Sequence, residues 1–489
     1  MGDAKSYFIH TFGCQMNEHD SERIAGSLEA DGYVRSDLEA DADVIVFNTC
    51  TIRENADNRL YGSLGMIKQL KDAKPSLQIV VGGCQSQKDR GLIQQRAPWV
   101  DVVFGTHNVH HAADLIRRAQ TEGPIMEILE EAETFPSALP VVRESAVSAW
   151  VTIQIGCDNS CAFCIVPSVR GVESSRPFGE LLAEVKALAA AGTTEITLLG
   201  QNVNSYGRDL ALRHRNIADA AIATYDCGTA WLSDRRPRPL FADLLTAVGN
   251  VEGIRRVRYT SPHPKDLRPE TIAAMASTPT VMPHLHLPLQ SGSDRILAAM
   301  RRGYTAERYL ERLAAARAAI PDLAVTADII VGFPGETEAD FEQTLQLAAD
   351  AQFDSAYTFQ FSARPGTAAA EMSDSFVPPD VMRERFERLK IVIDRSAEAK
   401  HRARIGRVEE VLVEGPSKRD ASMSSARTPQ YKLIHFRTPE RVALPPGTYC
   451  NVEVTGSAAF FLRGEFVEIT AKHRHRTRIP VVSASSSAE

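Results

Sequence analysis

The 489-residue sequence has no apolar run near the roughly 18 residues a membrane-crossing helix needs. Met1 to His10 also lacks the apolar core of a secretion signal, so a cytosolic protein with no membrane partner is expected. Cysteine is scarce: eight in the whole chain are too few for a disulfide scaffold. In a reducing compartment their more common use is metal binding or catalysis. With 44% hydrophobic and 24% charged residues, the composition also excludes disordered and collagen-like classes. At roughly 100 to 200 residues per domain, the length predicts about two to four domains, each able to bury a core.

The formal net charge of -7 is unevenly spread. From Lys400 onward, fifteen Lys and Arg face nine Asp and Glu, a surplus of +6 that leaves -13 for residues 1–399. A basic C-terminal portion on an acidic body suggests a module for a polyanion. The tail concentrates this in Lys472-His473-Arg474-His475-Arg476-Thr477-Arg478, where Arg474, Arg476 and Arg478 are candidates for phosphate contact; a solvated chain end is the plain alternative. Met1-Gly2 with Ser6 fits the short N-myristoylation pattern, which matches often by chance.

Short β-branched runs alternate with helical stretches over the first 120 residues. Ser6 to Thr11, Val44 to Asn48, Gln78 to Val81 and Asp101 to Phe104 read as buried strands, and Glu18 to Ala30, Asn55 to Lys71 and Lys88 to Arg96 as helices. This alternation predicts a small parallel sheet covered by helices, whose ligands bind at the carboxyl ends of the strands. Cys14, Cys50 and Cys84 each fall just after such an end, so three cysteines far apart in sequence are expected to meet on one rim.

The acidic, proline-containing stretch Glu122 to Glu144 reads as a linker. Beyond it, strands are predicted near Trp150 to Ile155, Glu195 to Leu199, Arg255 to Thr260, His284 to Leu287, Ala324 to Val331 and Ser355 to Phe361. Six strand-helix units suggest a partial (βα)6 barrel with its chemistry at the carboxyl ends, closed by a helix over Pro379 to Arg402. The Arg208 to Pro239 loop is long for such a connection and carries Cys227; a substrate lid and an insertion are both open readings. From Arg404 the pattern changes to short strands, Val408 to Glu414, Tyr431 to Phe436, Tyr449 to Gly456 and Arg463 to Ala471, which predict a small β-barrel of a kind often used to hold oligonucleotides. The expected fold class is therefore α/β. It comprises an N-terminal sheet domain (4–121), a linker (122–145), the partial barrel (146–402), the small β-barrel (404–472) and a basic, then serine-rich tail (473–489).

The strongest local signal is Cys157-Asp158-Asn159-Ser160-Cys161-Ala162-Phe163-Cys164, just after the first barrel strand. Three thiolates spaced in this way can hold three irons of an iron-sulfur cube and leave the fourth open to a small chelating molecule. A structural zinc site wants four ligands, usually as two pairs, and no second pair lies nearby. Cys227 and Cys450 match neither triad and read as spare thiols.

This loop, with Phe163 before its last cysteine and a (βα)6 pattern after it, resembles the radical S-adenosylmethionine superfamily. The resemblance implies a 4Fe-4S cluster on Cys157, Cys161 and Cys164 whose open iron binds the methionine part of S-adenosylmethionine, with Phe163 at the cofactor. One electron passed into the carbon–sulfur bond would then release a 5′-deoxyadenosyl radical able to remove unactivated hydrogen. Val331-Gly332-Phe333-Pro334-Gly335-Glu336-Thr337 looks like a family glycine turn that lets backbone approach the cofactor; an ordinary βα turn is the alternative.

Two triads in one chain narrow the resemblance to the methylthiotransferases. It is carried by TFGCQMNEHDSE (Thr11 to Glu22), CDNSCAFCIVPSVRG (Cys157 to Gly171) and LPLQSGSDRILAAMRRGYT (Leu287 to Thr305), and it extends from about Ser6 to Lys472. It implies a second 4Fe-4S cluster on Cys14, Cys50 and Cys84, and a C-terminal TRAM domain. The wording around Gln15-Met16-Asn17 is most similar to the branch that modifies N6-(dimethylallyl)adenosine in tRNA. For that branch the resemblance implies methylthiolation of adenine C2 in two stages, one S-adenosylmethionine methylating cluster-bound sulfur and a second furnishing the radical. An external electron donor and the tRNA anticodon stem-loop are the expected partners. Oligomeric state is left open, with a monomer favoured. The branches acting on threonylcarbamoyl-adenosine or on a ribosomal protein aspartate, and a non-catalytic iron-sulfur RNA-binding protein, remain alternatives.

Overall fold

The computed structural model describes residues 4–51, 54–130, 141–143, 145, 147–213, 239–438 and 442–472. Its N-terminal part is a six-stranded sheet of β1 (Ser6–Thr11), β2 (Val34–Arg35), β3 (Val44–Thr49), β4 (Gln78–Gly83), β5 (Val102–Phe104) and β6 (Ile125–Glu127), paired in parallel in the order β2-β1-β3-β4-β5-β6. β3 and β4 are buried along their whole length, as strands covered on both faces must be. Val44, Val46 and Val80 face Ile24, Leu28, Leu115 and Ile116 from the helices Gln15–Ala30 and Ala112–Glu122. Ile45, Phe47, Ile79 and Val81 face Leu60, Leu64 and Ile67 from the helix Glu54–Ala73.

Three expectations change here. β6 lies inside the expected linker, because Ile125 bonds back to Asp101 and extends the sheet despite the Gly-Pro step before it. The expected helix Lys88–Arg96 is two, Cys84–Asp89 and Leu92–Arg96, broken where Arg90 takes a φ of 51°. β2, only two residues long and exposed, has no hydrophobic pattern to betray it.

The central part contains β7 (Ser148–Thr152), β10 (Glu195–Leu199), β11 (Arg256–Tyr259), β12 (His284–His286), β13 (Ala324–Val331) and β14 (Ser355–Gln360). They pair in parallel as β7-β10-β11 and β12-β13-β14, and a parallel bridge from Val257 to Val281 joins the halves into an open arc, the partial barrel expected. The short antiparallel pair β8 (Gln154–Ile155) and β9 (Ser174–Ser175) sits where β7 ends. The alternate residues Val325, Ala327, Ile329 and Val331 join the helices in one large core. The other face of the strands, the inside of the arc, carries His284, His286, Thr326 and Asp328; His286 Nδ1 bonds Thr326 Oγ1 (3.0 Å) and Nε2 lies 3.5 Å from Asp328. Around His286 and Asp328 the inside of the arc is thus polar.

The helix Pro379–Arg402 closes this part. It leads into a closed barrel of β15 (Val408–Pro416), β16 (Met423–Arg427), β17 (Leu433–Arg437), β18 (Tyr449–Ser457) and β19 (Leu462–Ala471), in the order β15-β16-β17-β19-β18. β16, not expected from sequence, is hidden by its composition, Met-Ser-Ser-Ala-Arg. This small barrel docks against the amino-terminal ends of the arc. Tyr449 Oη bonds Thr194 (3.1 Å), Arg256 donates to the Glu410 and Arg427 carbonyls, and Lys432 pairs with Asp354 (2.6 Å). Arg404 and Arg407 pair with Asp322. Part of the basic surplus is therefore spent on docking, at the end of the arc opposite its cysteine loop. Cys450 lies in this barrel's core, behaving as a small apolar residue. Cys227, the 214–238 part of the long loop, and Arg474, Arg476 and Arg478 lie outside the described residues.

Candidate functional site

β1, β3 and β4 are neighbours in the sheet, and each delivers one cysteine at its carboxyl end. Cys14 caps the helix Gln15–Ala30, Cys50 follows β3 directly, and Cys84 opens the helix Cys84–Asp89. The approach is close: a Cβ on Gly13 would stand 2.4 Å from Cys50 Cβ and 3.1 Å from its Sγ, so only glycine, here at φ 136°, fits. Buried amides set the loops. Asn17 Nδ2 donates to the Thr49 carbonyl (2.9 Å), while Asn48 Nδ2 donates to the Asn17 carbonyl (2.7 Å) and to Ser21 Oγ (2.9 Å). The hydrogen bond with Cys50, opposed by burial and helped by Arg170, brings the Cys14 thiol down to about 6. Burial pushes the Cys84 thiol up against the pull of Arg170.

The second triad lies in the loop after β8. Cys157 N–H donates to the Gly171 carbonyl (3.1 Å), Ala162 N–H to the Met300 carbonyl (3.0 Å), and Ala369 N–H to the Ala162 carbonyl (2.8 Å), so the loop is tied at both ends. Arg302 Nη1 donates to Cys161 Sγ (3.3 Å), and Asn159, itself held by Lys265 (2.7 Å), donates to Cys157 Sγ (3.5 Å). Burial pushes the Cys164 thiol up to about 12 and raises Cys157 as well. Thiols this buried bind as thiolates only when positive charge compensates, which iron would supply. Phe163 packs, partly buried, against the cluster of Ala162, Ile296, Met300, Phe333 and Ala369. At the glycine turn, Gly332 sits at φ 75° where a Cβ would lie 2.2 Å from Met382 Cγ; packing of the closing helix, rather than open space for a ligand, demands that glycine.

The two triads are joined by one short helix, Val166–Arg170. Ile165 and Val169 bury Cys84 between them, and the Arg170 guanidinium reaches Asp20 (2.7 Å), with Cys84 and Cys14 close enough to feel its charge. Further interdomain bonds lock the same helix of the N-terminal part: His19 Nδ1 to Thr152 (2.6 Å) and Glu22 to Arg143 (3.0 Å), which also reaches Glu184 (2.8 Å). The helix Gln15–Ala30 is thus polar yet buried around its first half, a pattern that amphipathic periodicity does not reveal. Arg170, Arg302 and Asn48 are neighbours of the triads not singled out from the sequence, and Asn17 was noted there only as part of the wording Gln15-Met16-Asn17. Arg170, Asn17 and Asn48 lie within or beside the cysteine motifs, whereas Arg302 lies far from them in sequence, in the Leu287 to Thr305 segment.

Among the described residues no three His, Cys, Asp or Glu side chains converge as ligands of a single metal ion. A cube asks something else, since each thiolate holds a different iron and the sulfurs need only line a ring. The donor sets, three thiols from three strand ends in the first triad and three from one loop in the second, each with a cationic neighbour, fit that demand. Just past the carboxyl ends of β7 and β10, the buried side-chain oxygens of Gln154, Gln201, Asn202 and Asn204 have no hydrogen-bond partner among the described residues. Orphaned buried acceptors of this kind ask for a ligand carrying N–H donors or for water. Glu173, held by Ser205 (2.6 Å), is pushed up to about 7, chiefly by burial.

Three family models match the chain: an uncharacterized protein family, UPF0004, over residues 6–105, the Radical SAM superfamily over 151–348, and the TRAM domain over 402–467. Among solved structures, the radical S-adenosylmethionine methyltransferase TsrM from Kitasatospora setae aligns with 75% of this chain and 77% of its own, at 14% identity and a TM-score of 0.49. Curated relatives are far nearer. Proteins named tRNA-2-methylthio-N(6)-dimethylallyladenosine synthase from Acidothermus cellulolyticus and Thermobifida fusca are 52% and 50% identical, over 93% and 94% of this chain and 86% and 89% of theirs. One from Mycobacterium marinum is 51% identical over 94% of this chain and 85% of its own. With both cysteine triads, the open barrel and the small C-terminal barrel in place, identity of this extent means that the chain belongs to the family of the tRNA-2-methylthio-N(6)-dimethylallyladenosine synthases.

Proposed function

We propose that the chain transfers a methylthio group to C2 of N6-(dimethylallyl)adenosine beside the anticodon of tRNA, consuming two molecules of S-adenosylmethionine per turnover. The observation that carries this reading is the adjacency of the two cysteine triads, bridged by the helix Val166–Arg170. Sulfur delivered at one site and a radical made at the other must meet on one adenine, so the two sites have to share a mouth.

Cys14, Cys50 and Cys84 would hold one 4Fe-4S cluster, and Cys157, Cys161 and Cys164 the other, each keeping an iron free. When bound, the second cluster and S-adenosylmethionine supply one-electron cleavage of a carbon–sulfur bond, which gives a carbon radical able to attack an aromatic C–H that no base can deprotonate. The chain's own residues provide the setting. Arg302 and Asn159 donate to the thiolates of the second triad, and Arg170 places positive charge beside the first. The unpartnered oxygens of Gln154, Gln201, Asn202 and Asn204 suit the ammonium and amino N–H groups of S-adenosylmethionine. Phe163 anchors the cysteine loop by its apolar packing and would stand beside the bound cofactor. The anticodon loop is single-stranded, so its bases can be splayed into the arc at little cost.

A cytoplasmic location and an external one-electron donor belong to the same reading, with the oligomeric state left open and a monomer favoured. No helix among the described residues is long and apolar enough to cross a membrane. The test is anaerobic reconstitution with iron and sulfide, then incubation with reductant, S-adenosylmethionine and prenylated tRNA. Formation of 5′-deoxyadenosine together with a methylthio nucleoside is expected; absence of both sinks the proposal.

A further inference from the structure

The last strand of the arc carries a feature that neither cysteine site uses. Along β14, Ala356 packs into the large core shared with Phe386 and Val392 of the closing helix. The alternate residues Tyr357 and Phe359 point the other way, because successive strand side chains take opposite faces. Their register partners are Asp328 and Ile330, and Asp328 meets His286 on the inside of the arc. Tyr357 and Phe359 therefore stand on the inner wall, where they are 65% and 40% exposed. Two large aromatics bared on the concave face of a polar arc are unlike scattered surface residues.

The column is continuous with the cysteine loop. Phe361, next on the same face, contacts Phe333 (ring centroids 5.6 Å apart). Phe361 and Ile330 both pack on the cluster that holds Ala162 and Phe163, between Cys161 and Cys164. From solvent to the second triad the wall thus runs Tyr357, Phe359 with Ile330, then Phe361.

Resting on the proposed function, we propose that Tyr357 and Phe359 form the specificity subsite for the N6-dimethylallyl adenine, Tyr357 stacking on the purine face and Phe359 with Ile330 receiving the branched five-carbon chain. Flipped bases are read by aromatic stacking and pocket contacts, and a prenyl group gains only where it leaves water for an apolar surface. No acid or base at this wall is needed, because the discrimination is between an apolar substituent and none.

The experiment uses the reconstituted full-length chain with two anticodon stem-loop RNAs identical except for the dimethylallyl group. It reads the ratio of their Kd values for wild type, Phe359→Ala, Phe359→Ser and Tyr357→Ala, with Tyr357→Phe as the conservative control. Iron content and S-adenosylmethionine affinity are measured alongside. Wild type is expected to prefer the prenylated RNA, and Phe359→Ala to lose about tenfold of that preference with little change for the unprenylated RNA. Phe359→Ser should lose at least as much. Tyr357→Ala should weaken both RNAs alike, and Tyr357→Phe neither. A preference that survives both Phe359 variants overturns the inference, as does loss of S-adenosylmethionine binding with the preference intact, which would assign the column to the cofactor. A wild type without any preference overturns the substrate reading and this inference together.

Discussion

Replacing Arg170 with Met would test whether the helix Val166–Arg170 holds the two sites together. The side chain keeps most of its volume and loses its charge, so the perturbation is electrostatic. Arg170 and Asp20 are each only 6% exposed and lie 2.7 Å apart, so removing the guanidinium leaves a buried carboxylate uncompensated. Breaking such a pair costs about 3–5 kcal/mol. The low end applies here, because Arg23 also acts on Asp20. In a chain of several domains a single unfolding midpoint is a poor measure, so the local readout is amide hydrogen exchange in the helix Gln15–Ala30 of the metal-free protein. A loss of about 3 kcal/mol is roughly a hundredfold faster exchange. The double variant Arg170→Met with Asp20→Asn, which removes the uncompensated carboxylate but also takes it away from the buried Arg23, should recover part of that protection. Unchanged exchange in Arg170→Met, or a double variant no better protected than the single, would refute the claim that this pair clamps the domains.

Iron analysis should give about eight irons per reconstituted chain and about four after Cys14, Cys50 and Cys84 are all changed to Ala; zinc in either triad would contradict the cluster assignment. Glu173, raised to about 7 in the folded chain, binds more protons folded than unfolded between about pH 4.5 and 7. Its contribution to stability is therefore full below about pH 4.5 and lost as pH rises through 7. Glu173→Gln should match wild type at pH 4.5 and exceed it by up to about 3 kcal/mol at pH 8, read from amide hydrogen exchange around β9, corrected for the intrinsic rate at each pH; a constant difference would refute the shift. Lys432→Met breaks the buried pair with Asp354 and should loosen the small barrel by about 3 kcal/mol, seen as faster exchange in β17 with iron content unchanged.

Much of this architecture was legible where pattern and burial agree. The strands Ser6–Thr11, Glu195–Leu199 and Ala324–Val331 and the helix Pro379–Arg402 fall where hydrophobic periodicity puts them, because each buries one face or both against a continuous core. The elements that escaped, Val34–Arg35, Ile125–Glu127 and Met423–Arg427, are short pieces held by backbone pairing, which leaves little trace in side chains. The site divides in the same way. Thiol spacing announces Cys157, Cys161 and Cys164 locally, and Cys14, Cys50 and Cys84 are legible only through the strand ends they follow. Arg170 and the buried start of Gln15–Ala30 act across a domain boundary, and a polar residue buried by another domain looks like a surface residue in its own sequence. The basic C-terminal surplus was visible, but Arg404, Arg407 and Lys432 turn out to face Asp322 and Asp354 of the arc.

The central claim is a division of labour: sulfur at the triad of Cys14, Cys50 and Cys84, radical formation at that of Cys157, Cys161 and Cys164. It is tested most directly by mass spectrometry of nucleosides from prenylated tRNA after anaerobic incubation with reductant and S-adenosylmethionine, comparing wild type with two triple variants. The account predicts a methylthio nucleoside from wild type alone. It predicts 5′-deoxyadenosine but no methylthio product when the first triad is changed to Ala, and neither when the second is. A methylthio nucleoside made by the chain lacking Cys14, Cys50 and Cys84 would contradict it.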